Sequence, residues 1–473
     1  MRLASNLHCS STTTTNNLRY PHLTATMMAL SLYPCLFLAA FLLRYVRAIV
    51  GMITWVTYKP KPISEKPQFR ANDVTVVVPA TFKTPGELVQ CLRCILNCNP
   101  AAVFVITANA NVDLVRTCCA LNSFKSVQVL GVTKLNKRIQ MLRALEQVET
   151  AITVFADDDV FWPNGYLDHL LAIFENPTVG AGGTRQRVRR SDKPSLWNFL
   201  GICYLERRVW NNVTTNAIDG SISTLSGRTA AYRTQILKNS EFVHTFSTGS
   251  WLGRPIAGDD DKALTMFLYA HGWNIALQFA PESILETTLE DGPKYIHQCL
   301  RWARGHWRGN FTVMTNQTYW RSPRYWFGLY AIYFGQFQSP ALVVDSLLFY
   351  LLCKAFASSP DYKIFASVCL GIWILFTKTV KLIPHFCRHP ADLKFLPAML
   401  AFSYLHGIIN IYALFTLHHT HWGSQNLEVL EGARAQGEEV VPLLRVTMNE
   451  SDSYREPTPG EQAIELLRVR TPY

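Results

Sequence analysis

The stretch ITVFADDD, Ile152 to Asp159, joins a run typical of a buried strand to three consecutive carboxylates. Adjacent carboxylates raise one another's pKa and must be solvated, neutralised or held by a cation. Mg²⁺ and Mn²⁺ prefer such hard oxygen ligands, with water and a diphosphate completing the coordination. A metal site is therefore one interpretation of this acidic triplet. The alternative is that one aspartate caps a helix beginning near Pro163 and the others are solvated.

Short apolar runs alternate with amphipathic segments from Val74 up to this triplet. In order they read VTVVVPA, GELVQCLRCIL, AVFVITA, NVDLVRTCCAL, VQVLGV, NKRIQMLRALEQV and ITVFADDD. This alternation predicts an α/β fold with a mostly parallel sheet and helices on both faces. Ligands of such sheets bind at the carboxyl ends of the strands, at a topological switch point. Asp157 to Asp159 are thus predicted to lie where a nucleotide binds.

Long apolar segments lie near both ends of the 473-residue chain. The uncharged run Met27 to Leu43 has nearly the length of a bilayer span and no clean signal-peptide cleavage site follows it, so we predict a membrane anchor over residues 27–58. A C-terminal membrane region of about three helices is predicted over residues 325–422. Its apolar stretches cover about 325–353, 364–380 and 395–417.

Basic residues follow the first predicted span and fill the loop between the last two. They are Lys59, Lys61, Lys66, Arg70, Lys381, Arg388 and Lys394. The positive-inside rule therefore places a central domain over residues 72–320 in the cytosol and predicts a multi-pass integral membrane protein, of the plasma membrane in our interpretation. Polar sequence fills residues 1–26 and 423–473 and indicates no function.

The net charge of +11 suits a protein that handles anions or lies on anionic lipid. Nucleic acid is not a predicted partner, because the predicted spans already place the protein at a membrane. The twelve cysteines are scattered through a chain with a cytosolic centre, so we expect reduced thiols. In CLRCILNC, Cys91 to Cys98, the helical spacing of apolar residues favours core packing over a metal site.

Two basic motifs suit anion binding. Lys137 and Arg138 open a predicted helix, whose amino terminus already attracts anions such as a diphosphate. GGTRQRVRR, Gly182 to Arg190, has arginines able to hold phosphate or an acidic polymer. Exposed cations on a helix turn, or in a solvated loop, are the alternatives for both motifs.

Two further motifs combine acidic, basic and aromatic residues. AGDDDKALTMFLYAHGW, Ala257 to Trp273, has a second acidic cluster, which suits proton abstraction but also helix capping. HQCLRWARGHWRGN, His297 to Asn310, places tryptophans and arginines at helical spacing near residues 295–313. That pattern is typical of an interface helix on a bilayer and equally of sugar stacking with diphosphate binding.

Taken in order, these motifs resemble those of the processive family 2 glycosyltransferases, the group that includes hyaluronan, chitin and cellulose synthases. DDD at Asp157 to Asp159 resembles the metal-binding D-x-D, and GDD at Gly258 to Asp260 resembles the catalytic-base motif. QCLRW at Gln298 to Trp302 resembles Q-x-x-R-W, and SGRTAAYR at Ser226 to Arg233 resembles the acceptor-end segment. HWGSQ, His421 to Gln425, is a looser match to W-G-[ST]. Within the family the chain looks most similar to fungal capsular-polysaccharide and hyaluronan-type synthases.

This resemblance implies a GT-A (Rossmann-like) domain with flanking transmembrane helices, a UDP-sugar donor, Mg²⁺ or Mn²⁺, and inversion at the anomeric carbon. It implies metal or nucleoside contact by Asp159 and Asp157, diphosphate binding by Gln298 and Arg301, proton abstraction by Asp260 beside Asp259, and acceptor binding by Trp302, Ser226 and Gly227. The loops PATFKTPGE, Pro79 to Glu87, and TANAN, Thr107 to Asn111, depart from the acidic residues that relatives carry there. The motifs therefore support a nucleoside diphosphate donor more strongly than they support uridine as its nucleoside.

Three functional hypotheses follow. The first is a synthase that elongates and exports a polysaccharide. The second is transfer of one sugar to a lipid such as ceramide, and the third is a non-catalytic membrane scaffold or a transporter. Four Asn-x-Ser/Thr sequons test the topology, because those in the cytosolic domain should stay unmodified. They lie at Asn212, Asn310, Asn316 and Asn449.

Overall fold

The computed structural model describes residues 21–82, 85–191, 195–256, 258–315 and 322–420. HWGSQ, the tail over 423–473 and most of the 1–26 extension lie outside these residues. The chain divides into two compact units. One contains residues up to Leu43 together with Asp345–Ile374, and the other contains Arg44–Val344 and everything from Leu375 onward.

The second unit contains all the strands of the described chain. In order they are β1 (Val74–Pro79), β2 (Ala102–Ala108), β3 (Val127–Val132), β4 (Ile152–Ala156), β5 (Val160–Phe161), β6 (Val179–Thr184), β7 (Gln186–Val188), β8 (Thr229–Arg233), β9 (Ser250–Trp251), β10 (Arg254–Pro255), β11 (Asn274–Gln278) and β12 (Leu285–Thr287).

The helices up to the second predicted membrane region are α1 (Pro21–Thr57), α2 (Pro85–Leu96), α3 (Val112–Leu121), α4 (Lys137–Leu145), α5 (Tyr166–Leu171), α6 (Leu196–Asp219), α7 (Thr234–Leu237), α8 (Ser240–Ser247), α9 (Asp260–Ala270) and α10 (Lys294–Thr315). Short turns at Trp326–Gly328 and Gly335–Phe337 then flank a π-helix, Leu329–Phe334. The remaining helices are α11 (Ala341–Ala355), α12 (Pro360–Thr379), α13 (Ile383–Arg388) and α14 (Leu396–Phe415).

The predicted α/β class is confirmed, with a mixed sheet. Seven strands lie in the order β11-β6-β8-β4-β1-β2-β3. Strands β1 to β4 are parallel as predicted, whereas β8 runs antiparallel to both β4 and β6. A smaller sheet has the order β5-β12-β7. Because β8 is reversed, its first residues lie beside the carboxyl end of β4, where the acidic triplet begins.

Alternating residues of β1 pack into different hydrophobic clusters. Val76 and Val78 contact the cluster that includes α2, α3 and α5, and Val77 contacts the cluster that includes α4, α8 and α9. This is the period-two pattern of a strand covered on both faces. Cys91 and Cys98 are buried in the first cluster, so the predicted core packing of CLRCILNC is confirmed.

Three described helical stretches are long and apolar enough to cross a membrane, namely Leu32–Thr57, Pro360–Arg388 and Pro390–Phe415. The number is four if the bent pair Pro323–Phe337 and Ala341–Ala355 counts as one span. Nearly all of the N-terminal anchor predicted over residues 27–58 lies in one continuous helix, α1. The helix predicted near 295–313 is α10.

Candidate functional site

The acidic triplet follows β4 and contacts neighbouring strand ends. The amide of Asp157 donates to the carbonyl oxygen of Arg228 over 2.8 Å, where β8 begins. The carboxylate of Asp158 accepts from the Thr81 amide over 3.0 Å, just beyond β1. Helix α5 has Gly165 at its N-cap and no side-chain cap. The helix-capping interpretation of the triplet is therefore wrong, and the carboxylates lie at the predicted carboxyl edge of the sheet.

Two carboxyl groups of the triplet keep their protons to higher pH than an ordinary aspartate. Burial raises the pKa of Asp159 to about 8 and that of Asp158 to about 6, and the charge of Asp157 adds to both. Among the described residues, no group of three or more His, Cys, Asp or Glu side chains is arranged to hold a metal alone. Oxygens of Asp157 and Asp159 nevertheless suit Mg²⁺ or Mn²⁺ when water and a diphosphate complete the coordination.

One lysine joins the triplet to the second acidic motif. Lys137 Nζ lies 2.6 Å from Asp157 Oδ1 and 3.2 Å from Asp260 Oδ2. Burial lowers the pKa of Lys137, but the two carboxylates raise it by more, so the side chain stays an ammonium. A Cβ on Gly227 would lie 3.2 Å from Lys137 Nζ and 3.3 Å from Asp260 Oδ2. A larger residue at position 227 would therefore crowd this ion pair, whose side chains would have to shift by a few tenths of an ångström.

Arg138 holds the loop that carries Asp260. Its guanidinium donates to the carbonyl oxygens of Gly258 over 3.1 Å and Asp259 over 3.3 Å, and to Phe246 over 3.2 Å. Lys137 and Arg138 thus contact protein groups in this structure, and diphosphate binding by them stays a prediction. We call Gly258–Asp260 the base loop.

Asp259 has a different environment from Asp260. Its backbone is left-handed, with φ of 55°, and its Oδ2 accepts from Arg308 Nε over 2.9 Å and Nη2 over 2.7 Å. A Cβ on Gly305 would lie only 2.4 Å from Asp259 Oδ1. Helix α10 therefore fixes the side chain of Asp259, which favours a structural role for it and leaves Asp260 as the better candidate base.

Helix α10 also carries Gln298 and Arg301. Gln298 Oε1 is buried without a hydrogen-bond partner in the part of the chain that the structure describes. Within the described ranges, Arg301 makes neither an ion pair nor a hydrogen bond to protein. Buried polar atoms normally have partners, so these groups are available to a polar ligand. The Arg301 guanidinium agrees with the predicted diphosphate role without testing it, whereas Gln298 Oε1 only accepts hydrogen bonds, so Gln298 would have to bind a diphosphate through its side-chain NH₂ group.

Trp302 belongs to a stack of aromatic and cationic side chains. Its ring lies 4.8 Å from the Tyr204 ring, and the Arg228 guanidinium lies over it at 5.4 Å. Arg207 lies over Tyr204 at 5.2 Å. Ser226 Oγ accepts from Arg228 over 3.4 Å, so the predicted acceptor residues Trp302 and Ser226 meet through this arginine. We call Tyr204, Trp302 and Arg228 the aromatic wall.

The sequence analysis did not predict several residues of this site. Tyr204 and Arg308 lie in helical patterns that also fit ordinary packing, and Arg228 follows a glycine in a segment noted only for its resemblance. Three of the four arginines of GGTRQRVRR make ion pairs within the protein rather than lying in a solvated loop, and phosphate binding by this motif stays a prediction. The pairs are Arg185–Glu206, Arg189–Glu286 and Arg190–Asp392, at 3.3, 3.3 and 2.9 Å.

The family model that matches this chain and the similar known proteins have concordant descriptions. The family described as glycosyltransferase like family 2 matches residues 71–305. A type 2 glycosyltransferase of Zymoseptoria tritici is 42% identical over 392 residues, covering 82% of this chain and 83% of that protein. One from Gibberella zeae is 40% identical over 400 residues, covering 82% and 75% respectively.

Among solved structures, a mannosyltransferase from Pyrobaculum calidifontis in complex with GDP-Man and Mn²⁺ aligns with a TM-score of 0.45 and 16% identity. The alignment covers 80% of this chain and 99% of that one.

Proposed function

The chain belongs to the family 2 glycosyltransferases, and from that membership we propose a membrane-bound inverting enzyme that elongates and exports an extracellular polysaccharide from UDP-sugars. One observation carries the proposal. The Asp260 carboxylate and the acidic triplet meet at a single ammonium, Lys137, with 3.2 and 2.6 Å contacts. A group able to take a proton from an acceptor therefore adjoins groups suited to a metal–diphosphate donor.

In the proposed reaction, the acceptor hydroxyl oxygen bonds to the anomeric carbon as the bond from that carbon to the diphosphate breaks. Asp260 takes the hydroxyl proton, and the bonding electron pair leaves with the diphosphate. Arg301 would donate to the diphosphate from its guanidinium, and Gln298 would donate to it from its side-chain NH₂ group. Mg²⁺ or Mn²⁺, held by Asp157 and Asp159, would neutralise charge on the leaving group. Single displacement requires no covalent nucleophile.

The aromatic wall supports a sugar acceptor. Trp302 is the half-buried ring of this stack that would pack against a pyranose, because Tyr204 is buried beneath it, and Arg228 offers hydrogen-bond donors. The Tyr204 ring lies 5.9 Å from His406, on the apolar helix α14. In this proposal Tyr204 supports the Trp302 ring, and the elongating chain passes from Trp302 towards the membrane helices.

The apolar helices support a membrane location, with the sheet domain in the cytosol and the plasma membrane as the proposed site. Asn310, one of the cytosolic sequons, is buried and accepts from Lys262 Nζ over 3.0 Å, so an attached glycan there would require unfolding. Detection of a glycan on Asn212 would overturn this topology.

Transfer of one sugar to a lipid is the second candidate. Its supporting observation is the same contact between Tyr204 and helix α14, because an acceptor site beside a membrane helix is also accessible to a lipid. The length of the product distinguishes the two candidates.

The decisive experiment incubates membranes containing the full chain with Mg²⁺ or Mn²⁺ and labelled UDP-sugars, singly and in pairs, and sizes the products. Asp260→Asn should abolish the product while membrane insertion persists. The control is Asp113→Asn, whose carboxylate is 96% exposed, and it should keep full activity. A fully active Asp260→Asn variant would refute the assignment of the base, and a lipid carrying one sugar would replace the polymer proposal.

A further inference from the structure

Three arginines hold the short segment that follows helix α14. Arg304 Nε donates to Thr416 Oγ1 over 3.0 Å, and Arg254 Nη1 donates to the His418 carbonyl over 3.3 Å. Arg308 Nη1 donates to the carbonyl oxygens of Leu417 over 3.3 Å and His419 over 3.1 Å. We call Thr416–His419 the exit segment. Carbonyl groups beyond a helix end need such external donors.

Arg308 contacts the base loop with its other nitrogens. Nε and Nη2 both donate to Asp259 Oδ2, over 2.9 and 2.7 Å, and Arg308 is only 5% exposed. All three of its nitrogens are therefore engaged, two with the base loop and one with the exit segment. A planar guanidinium fixes the angle between its donors, so the two sets of contacts are geometrically linked.

We propose that Arg308 is a positioning residue that couples the exit segment to the catalytic base. Asp259 precedes Asp260 directly, so a shift of the Arg308 guanidinium moves the backbone that carries Asp260. Asp260 itself is held by Lys137 at 3.2 Å, which does not touch the exit segment. Arg308 thereby lets movement of the last apolar helix change the alignment of the base. This inference rests on the proposed role of Asp260.

The proposal differs from a purely structural role in its kinetic consequence. A misplacement of about 1 Å at a reacting group costs on the order of 100-fold in rate without removing a donor contact. Arg308→Gln should therefore lower kcat about 100-fold while the KM for the donor changes less than about threefold. Arg308→Lys should recover part of kcat, because it restores the charge without the fork of donors.

Arg304→Gln is the matched control, since Arg304 lies one helical turn away and contacts the exit segment but not Asp259. It should keep kcat within about threefold of the unaltered protein. Equal losses of kcat and of thermal stability in the Arg304 and Arg308 variants would overturn the proposal in favour of general stabilisation. An unchanged kcat in folded Arg308→Gln would overturn it directly.

A second measurement does not depend on turnover. Thr420, next to the exit segment, is 8% exposed, so Thr420→Cys reports release of the segment through its rate of modification by a thiol reagent, read by peptide mass spectrometry. Adding Asp259→Ala should increase that rate at least about threefold, because Arg308 loses its bidentate partner. Adding Asp113→Ala should not. An unchanged modification rate with Asp259→Ala would refute the coupling, even if Asp260→Asn confirms Asp260 as the base. A fully active Asp260→Asn variant would refute the role of Asp260 as the base, and the coupling would then rest on the labelling result.

Discussion

Replacing Gly305 by alanine sets two opposed effects against each other. Gly305 lies inside helix α10, where alanine is favoured over glycine by about 1 kcal/mol. The new Cβ, however, would lie 2.4 Å from Asp259 Oδ1, well inside van der Waals contact. Asp259 cannot turn away freely, because Arg308 holds its other oxygen with two hydrogen bonds.

The steric effect should dominate. Overpacking of a well-packed site costs about 1–3 kcal/mol, and weakening a charge-assisted hydrogen bond costs about 1.5–3 kcal/mol. After the gain of about 1 kcal/mol in helix propensity, we expect a net loss of roughly 2 kcal/mol or more. The displaced base loop should also reduce turnover, on the order of 100-fold for a shift of about 1 Å.

Thermal unfolding of the purified protein in detergent, followed by tryptophan fluorescence, measures the first effect. Gly371→Ala is the matched control, because no atom of the described residues lies within 4 Å of its Cβ position in helix α12. We expect a Tm lowered by several degrees for Gly305→Ala and an unchanged or raised Tm for Gly371→Ala. In an Asp259→Gly background, Gly305→Ala should raise the Tm, since the clash is gone. A higher Tm for Gly305→Ala in the otherwise unaltered protein would refute the reasoning.

Three further perturbations give distinct readouts. Lys137→Met should increase Mn²⁺ affinity, measured by electron paramagnetic resonance, because it removes a cation 2.6 Å from Asp157. Transferase activity should fall. Weaker Mn²⁺ binding would contradict this prediction. Burial lowers the pKa of Lys262 from 10.5 to about 8, so between these values the unfolded chain binds more protons and stability attributable to Lys262 rises with pH. The Tm of the unaltered protein relative to Lys262→Met should therefore rise from pH 8 to pH 10, and a constant difference would argue against a lowered pKa of Lys262. Tyr204→Ala removes the ring that stacks on Trp302 at 4.8 Å, a contact worth about 0.5–1.5 kcal/mol. The variant should make shorter products on a sizing gel, while the initial rate changes less than about threefold. Full-length products would exclude Tyr204 from the acceptor path.

The sequence predicted the elements that depend on local patterns. Apolar runs of strand length and amphipathic segments placed β1 to β4 and the helices between them, because burial on one or two faces imposes a residue period that is visible along the chain. The same logic located the triplet at the end of β4. It also predicted the apolar helices. The bend between Phe337 and Ala341 was not predicted, because hydropathy gives no signal for it.

The sequence also determined the family, because its motifs are short and local, and the residues of each lie within a few positions of one another. Order and spacing therefore distinguish Asp157–Asp159, Gly258–Asp260 and Gln298–Trp302 from chance acidic or aromatic clusters. What each aspartate does inside its motif is a different matter, since neighbours such as Asp259 and Asp260 are chemically identical in the sequence.

Only the tertiary structure distinguishes the two aspartates, because it shows which distant groups neutralise each charge. Lys137, 123 positions before Asp260 by their numbers, pairs with that carboxylate, whereas Arg308 pairs with Asp259. Charge pairing and steric exclusion act over a few ångströms in space whatever the separation along the chain. For this reason the pattern of residues identifies the chemistry available to this protein, and the folded arrangement assigns it to particular side chains.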